Sequence, residues 1–230
     1  MNIDSPPSAA RARSIAFAVF SYLMASPNDL PFVERPLGLE AVAAMLSEVQ
    51  RALPYSVDFD ELRSLIEMLT ARQTSLLGQE YGRLFEVGQD GPPVPIREEL
   101  TRSRPLKAKE ELVRFYEYFG YRLKDEYAWA PDHLSVQLEF LHFLAYQESL
   151  VKDEEERLSY QLAQRDFLKR HVLNWYDQLQ RGVLSHTASS YYRCVVATLG
   201  RFLRLDLAWQ ENRLKGEVNH GASDCHGLGS

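Results

Sequence analysis

Residues 131–146, PDHLSVQLEFLHFLAY, constrain this chain more than any other stretch. Leu134, Leu138, Leu141 and Ala145 recur at helical spacing. Val136, Phe140 and Phe143 widen the stripe until little of the surface is polar. Such a helix needs cover on more than one side, and the rest of the chain has to supply it. Pro131 suits a helix start because it has no amide hydrogen to lose, and Asp132 suits a cap on the first turn. Asp132 and His133 thus mark an entrance that either caps a core helix or faces a binding groove.

Helical periodicity continues on both sides. The pattern predicts helices over Ser8–Ala25, Leu37–Leu53 and from Asp58 through Leu62, Leu65, Ile66 and Leu69. A fourth is predicted over Thr74–Glu86, with Leu77, Tyr81, Leu84 and Phe85 on one face. Gly88–Pro105 carries Gly91, Pro92, Pro93, Pro95 and Pro105 and reads as irregular, without helix or strand pattern. It is either a linker between two helical halves or a functional loop, since long interior loops tend to carry function. Beyond it a helix is expected over Leu106–Gly120, with Gly120 at its C-terminal cap. The apolar helix then runs to about Lys152, and Asp153–Glu156 serves the start of the next, where carboxylates suit the dipole. The region to Arg181 reads as one long helix or two, ended by Gly182. A last helix is expected over Ala188–Leu214, followed by a disordered tail, 215–230. The fold class is all-α: one bundle domain of about eight to ten helices over 1–214.

The chain has 230 residues, 45% of them hydrophobic and 25% charged, enough to bury a core. Net charge is −6 and no basic block stands out, which argues against nucleic acid as the main partner. An acidic surface favours basic peptides instead. Cys194 and Cys225 form neither a disulfide framework nor a zinc site. Arg11 and Arg13 before an apolar run loosely resemble a secretory signal, but no cleavage site follows, and no stretch is long enough to span a membrane.

Catalytic constellations are hard to find. Glu139 and His142 have the Glu-x-x-His spacing of di-iron bundles, but the other copy, Glu217 and His220, falls in the tail. His220, Cys225 and His226 make at most an adventitious metal site. There is no phosphate loop, nucleophile elbow or His-Glu-x-x-His. His171, with Trp175 four residues on, reads as a core histidine, and Cys194 as a small buried side chain. No catalytic residue, metal or cofactor is expected.

Three stretches in order carry a resemblance: Tyr81-Gly82-Arg83-Leu84-Phe85 with the loop Gly91-Pro92-Pro93-Val94-Pro95; Glu117-Tyr118-Phe119-Gly120-Tyr121; and Pro131-Asp132-His133-Leu134. Together with His171–Trp175 they resemble the TorD/DmsD/NarJ-type chaperones that mature molybdenum oxidoreductases. The likeness is nearest to those serving type II dimethyl sulfoxide reductase-family enzymes, and it covers roughly Ile15–Leu207. The resemblance implies a TorD-like, cytoplasmic, non-enzymatic protein. Such a protein binds the N-terminal signal of a catalytic subunit, usually of twin-arginine type. It holds the apoprotein until the molybdopterin cofactor is inserted. The peptide-binding residues so implied are Tyr81, Leu84, Phe85, Pro92, Pro93, Pro95, Pro131, Asp132 and His133. Gln137 stands where many relatives have a glutamate. A signal peptide joins basic and apolar residues, so Leu84 and Phe85 would form an apolar groove, with Asp132 and Glu86 as its acidic end. Monomer and domain-swapped dimer both fit, with 88–105 as the hinge. The rival readings are an accessory subunit that stays in an oxidoreductase complex and a small helical nucleotide-hydrolysing enzyme.

Overall fold

The computed structural model describes residues 6–27, 38–86, 88, 91–101, 108–123 and 130–224. Among these, the regular structure is nine α-helices, two π-helical turns and one 3-10 turn, with a single isolated bridge between Arg97 and His133. The helices are α1 (Pro6–Met24), α2 (Leu39–Ala52), α3 (Asp60–Glu67), α4 (Ala71–Tyr81), α5 (Ala108–Tyr118), α6 (Leu134–Leu150), α7 (Glu154–Phe167), α8 (Leu173–His186) and α9 (Ser190–Asp224).

The apolar stretch is α6, and it is buried on nearly every side, including Leu134, Val136, Leu138, Phe140, Leu141, Leu144 and Ala145. Its main neighbour is α1. Small side chains explain the closeness: Ala9, Ala10, Ala12 and Ala16 are all buried on α1. All nine helices contribute to the buried apolar cluster or pack on it. Between α5, α6 and α7 it is mostly aromatic. Tyr116, Phe140 and Phe167 meet edge to face, Phe140 at 4.7 Å from each of the other two, an arrangement favoured by the ring quadrupoles.

A charged cluster runs through this apolar interior. Arg13 on α1 is 1% exposed. Its Nε donates to Asp206 Oδ1 at 2.5 Å, Nη1 to Glu148 Oε2 at 3.1 Å and Nη2 to Gln164 Oε1 at 2.8 Å. Tyr55 donates to the same Asp206 oxygen, and Arg213 to Glu148 Oε1. Burial alone would lower the Arg13 pKa, but Asp206 and Glu148 outweigh it and raise it. Arg13 thus ties α1 to α6, α7 and α9. Such a cluster holds only while every member is paired.

Several boundaries differ from expectation. The fourth helix starts at Ala71, because Thr70 and Gln73 form a reciprocal capping box. It ends at Tyr81 and passes into a π turn, Gly82–Glu86. The region to Arg181 is two helices joined by a second π turn, Leu168–Val172. Gly182 does not end α8 but lies inside it, where a Cβ would stand 2.9 Å from Val94 Cγ1. Its smallness serves close packing and not termination. Gly120 does close α5, with φ +68° and the paired bonds Gly120 N–H to Glu117 O and Tyr121 N–H to Tyr116 O. Asp153 caps α7 by accepting from Glu156 N–H. The last helix continues past Leu214 to Asp224, since extending a formed helix is far easier than starting one. Residues 225–230 lie outside the described residues.

Candidate functional site

The proline-containing loop, read as patternless, bends at Gly91, Pro93 and Val94, reaches a bridge at Arg97 and closes in a 3-10 turn, Glu98–Leu100, and its burial alternates from Val94 to Glu99. Val94, Ile96 and Glu98 are buried, while Pro95, Arg97 and Glu99 are half-buried. Over Val94–Arg97 that is the period of an extended segment, hidden in the sequence by its prolines and by the charge at Glu98. This strap, 91–101, lies across two helix ends. Each end has backbone groups without an intrahelical partner. Leu84 O, in the π turn, accepts Val94 N–H at 3.0 Å, and Ile96 O accepts Leu134 N–H at 3.1 Å from the first turn of α6. Glu98 N–H donates to Asp132 O at 3.1 Å.

Side chains complete the clasp. Asp132 is buried and does not cap α6. Its Oδ1 accepts Arg97 Nε at 3.1 Å and Nη2 at 3.0 Å, and its Oδ2 accepts Glu99 N–H at 2.9 Å. The cap is His133, whose Nδ1 accepts from Ser135 N–H at 3.2 Å. Pro131 is not the first helical residue either. It sits at the second position of a turn closed by His133 N–H to Ala130 O, and its carbonyl accepts from Tyr116 Oη at 2.8 Å.

Because Nδ1 accepts, the neutral ring carries its proton on Nε2 and donates to Tyr81 Oη at 3.0 Å, and Tyr81 donates on to Met24 O. His133 is half-buried by exposed area, yet burial of the ring is the largest cause lowering its pKa. Asp132 opposes the shift, Arg97 adds to it, and the result is about 4. The imidazole is therefore a neutral cap at neutral pH.

Behind the strap, Glu98 Oε2 accepts Gln137 Nε2 at 2.8 Å and faces His171 Nδ1 at 3.3 Å, all three residues being buried. Gln137 in place of a glutamate puts an amide donor, not a second carboxylate, against Glu98. His171 is a core histidine, as expected: Trp175 Nε1 donates to its carbonyl and Phe115 and Phe167 flank the ring.

The structure thus brings together Tyr81, Leu84, Pro131, Asp132, His133 and Gln137 around the strap. Phe85 packs against Tyr81, with centroids 4.9 Å apart and the ring planes tilted by 60°. Leu84 and Phe85 are each 3% exposed and belong to the core, so they do not form an open groove. Glu86 is exposed, apart from this cluster, and accepts from Ser26 Oγ. Pro93 is exposed, and Pro92 and Pro95 are half-buried. Sequence reasoning missed Val94, Ile96, Arg97 and Glu98, for which the one available signal was the alternation. A cavity of about 480 Å³ opens on α8, lined by Gln178, Arg181, Gly182 and Ser185. Glu139 and His142 form no metal site. His142 Nδ1 lies 2.8 Å from Ser14 Oγ, and among the described residues no cluster suits a metal ion.

A family model described as nitrate reductase delta subunit matches residues 52–181, which include the strap and α6. The chain belongs to the nitrate reductase delta subunit family. This delta-subunit-family chain is 35% identical over 134 residues to the selenate reductase assembly chaperone protein of Thauera selenatis, covering 56% of this chain and 67% of that one. It matches the chlorate reductase assembly chaperone protein of Ideonella dechloratans to the same extent. The resemblance read from the sequence is borne out. A solved structure from Archaeoglobus fulgidus, assigned to redox enzyme maturation, superposes with a TM-score of 0.50 at 19% identity, over 83% of this chain and 93% of its own, and shares the all-α fold. No helix among the described residues of the delta-subunit-family chain is long and apolar enough to cross a membrane.

Proposed function

We propose that this protein is an assembly chaperone for the catalytic subunit of a molybdenum-containing oxidoreductase. The observation that carries the reading is the 35% identity to relatives named as assembly chaperones of selenate and chlorate reductases. On this reading the protein works in the cytoplasm and catalyses nothing itself. It binds the N-terminal signal of the apo catalytic subunit, of twin-arginine type, and keeps the subunit open until the molybdenum cofactor is in place. The binding region is the strap and its seat: Tyr81, Leu84, Asp132 and His133, with Pro92, Pro93 and Pro95 on the outer side. The buried position of the seat suits a site that is exposed on demand.

The word subunit in the family's description favours a second reading, an accessory subunit that remains in the finished complex. Co-purification of the tagged protein with mass spectrometry separates the two. A molybdoenzyme catalytic subunit still carrying its signal is the expected result. The same subunit with its signal removed supports the accessory reading. Failure to recover any oxidoreductase, under conditions where one is made, overturns both.

A further inference from the structure

The strap joins two apolar residues to a basic one. Val94 and Ile96 are apolar and buried, and Arg97 next to them places its guanidinium on a buried carboxylate, Asp132. Two of the backbone groups that hold residues 94–97 belong to helix ends with no intrahelical partner of their own: Leu84 O, and Leu134 N–H in the first turn of α6. If residues 94–97 leave, the surface beneath presents one carboxylate, one carbonyl, one amide and an apolar floor beside Gly182. We propose that the strap is an internal stand-in: residues 94–97 occupy the seat of a client peptide that joins a basic residue to apolar ones, and the client binds by displacing them.

This rests on the assembly-chaperone reading and adds to it a mechanism of self-blocking. Charge complementarity selects the occupant, because Asp132 is satisfied only by a cation when Arg97 withdraws. The strap meets His133 in antiparallel sense and carries its apolar residues before its arginine. A signal carries its apolar run after its arginines. The client therefore lies in the opposite direction, and parallel pairing still allows backbone bonds to Leu84 O and Leu134 N–H. Glu98 is the pivot. Its carboxylate stays with Gln137 and His171 while residues 94–97 swing out.

The test locks the strap. Val94 Cβ lies 3.5 Å from the position of a Cβ at residue 182, within the span a disulfide needs. The variant V94C/G182C, with Cys225→Ser to prevent mispairing, is oxidised and its cross-link confirmed by mass. The probe is a fluorescein-labelled peptide copied from the N-terminus of the co-purified catalytic subunit, read by fluorescence polarisation. Binding at least tenfold weaker when oxidised, restored by dithiothreitol, is expected. Equal binding in both redox states overturns the strap proposal alone, whereas wild-type protein that binds no such peptide overturns the chaperone reading as well. A second pair of variants needs no cross-link. Arg97→Ala frees the seat and tightens binding severalfold, while Asp132→Ala removes the carboxylate and weakens it. An ion pair that merely holds the fold together moves both variants the same way, and that result refutes displacement.

Discussion

His133 makes the stability of this protein depend on mild acid. The ring is neutral in the folded state because Nδ1 must accept from Ser135 N–H. Its pKa falls from the usual 6.5 to about 4. A histidine with a lowered folded pKa contributes stability that is complete above its unfolded pKa and is lost as pH falls from there toward the folded one. The full difference, at about 1.4 kcal/mol per unit, is roughly 3.4 kcal/mol. Between about pH 7.5 and pH 4.5 the loss is about 2.5 kcal/mol by the same linkage. Asn at 133 still offers a side-chain acceptor for the helix start but does not titrate. Urea unfolding of wild type and His133→Asn at both pH values measures the difference, since every other ionisable group is common to the two. Wild type is expected to lose about 2.5 kcal/mol more than the variant across that window. Parallel pH profiles, agreeing within roughly 0.5 kcal/mol, would refute the neutral-cap geometry.

Arg13→Ala leaves Glu148 and Asp206 buried with too little positive charge, and a loss of about 3–5 kcal/mol in urea unfolding is expected. Gly182→Val drives a branched side chain into Val94, costing about 1–3 kcal/mol by overpacking. Faster amide exchange at Val94 and Glu98 should accompany its lower melting temperature. Thr70→Ala removes the capping box of α4, and about 1 kcal/mol should be lost with no change in peptide binding.

The helices were legible because they are local. An apolar stripe at 3.6-residue spacing says helix wherever it sits, and α6 was readable from its own residues. The gathering of Tyr81, Leu84, Asp132 and His133 in one place was legible too, though through the resemblance and not through spacing. What each of them faces was not. A carboxylate reads as an open anionic contact until its partner is known, and Arg97 lies 35 positions before Asp132. The same holds for Arg13, whose partners Glu148 and Asp206 lie in distant helices, and for Gly182, whose reason is Val94. The Thr70-x-x-Gln73 box was local and readable, and it corrects the start of α4.

The two π turns also govern how the chain's length can vary. A π turn closes over one more residue than an α turn. Leu84 lies in one, where its carbonyl meets Val94, and His171 lies in the other, where its ring meets Glu98. A deletion in the middle of an ordinary helix turns everything after it by about 100° and pulls the apolar face out of the core. A deletion within either π turn returns that helix to regular winding and leaves its flanks facing as before. Single-residue gaps are therefore tolerated structurally at these two points, and each such gap removes one mooring of the strap. A relative shorter by one residue in both would keep its bundle and hold its strap by Asp132, Leu134 and Gln137 alone.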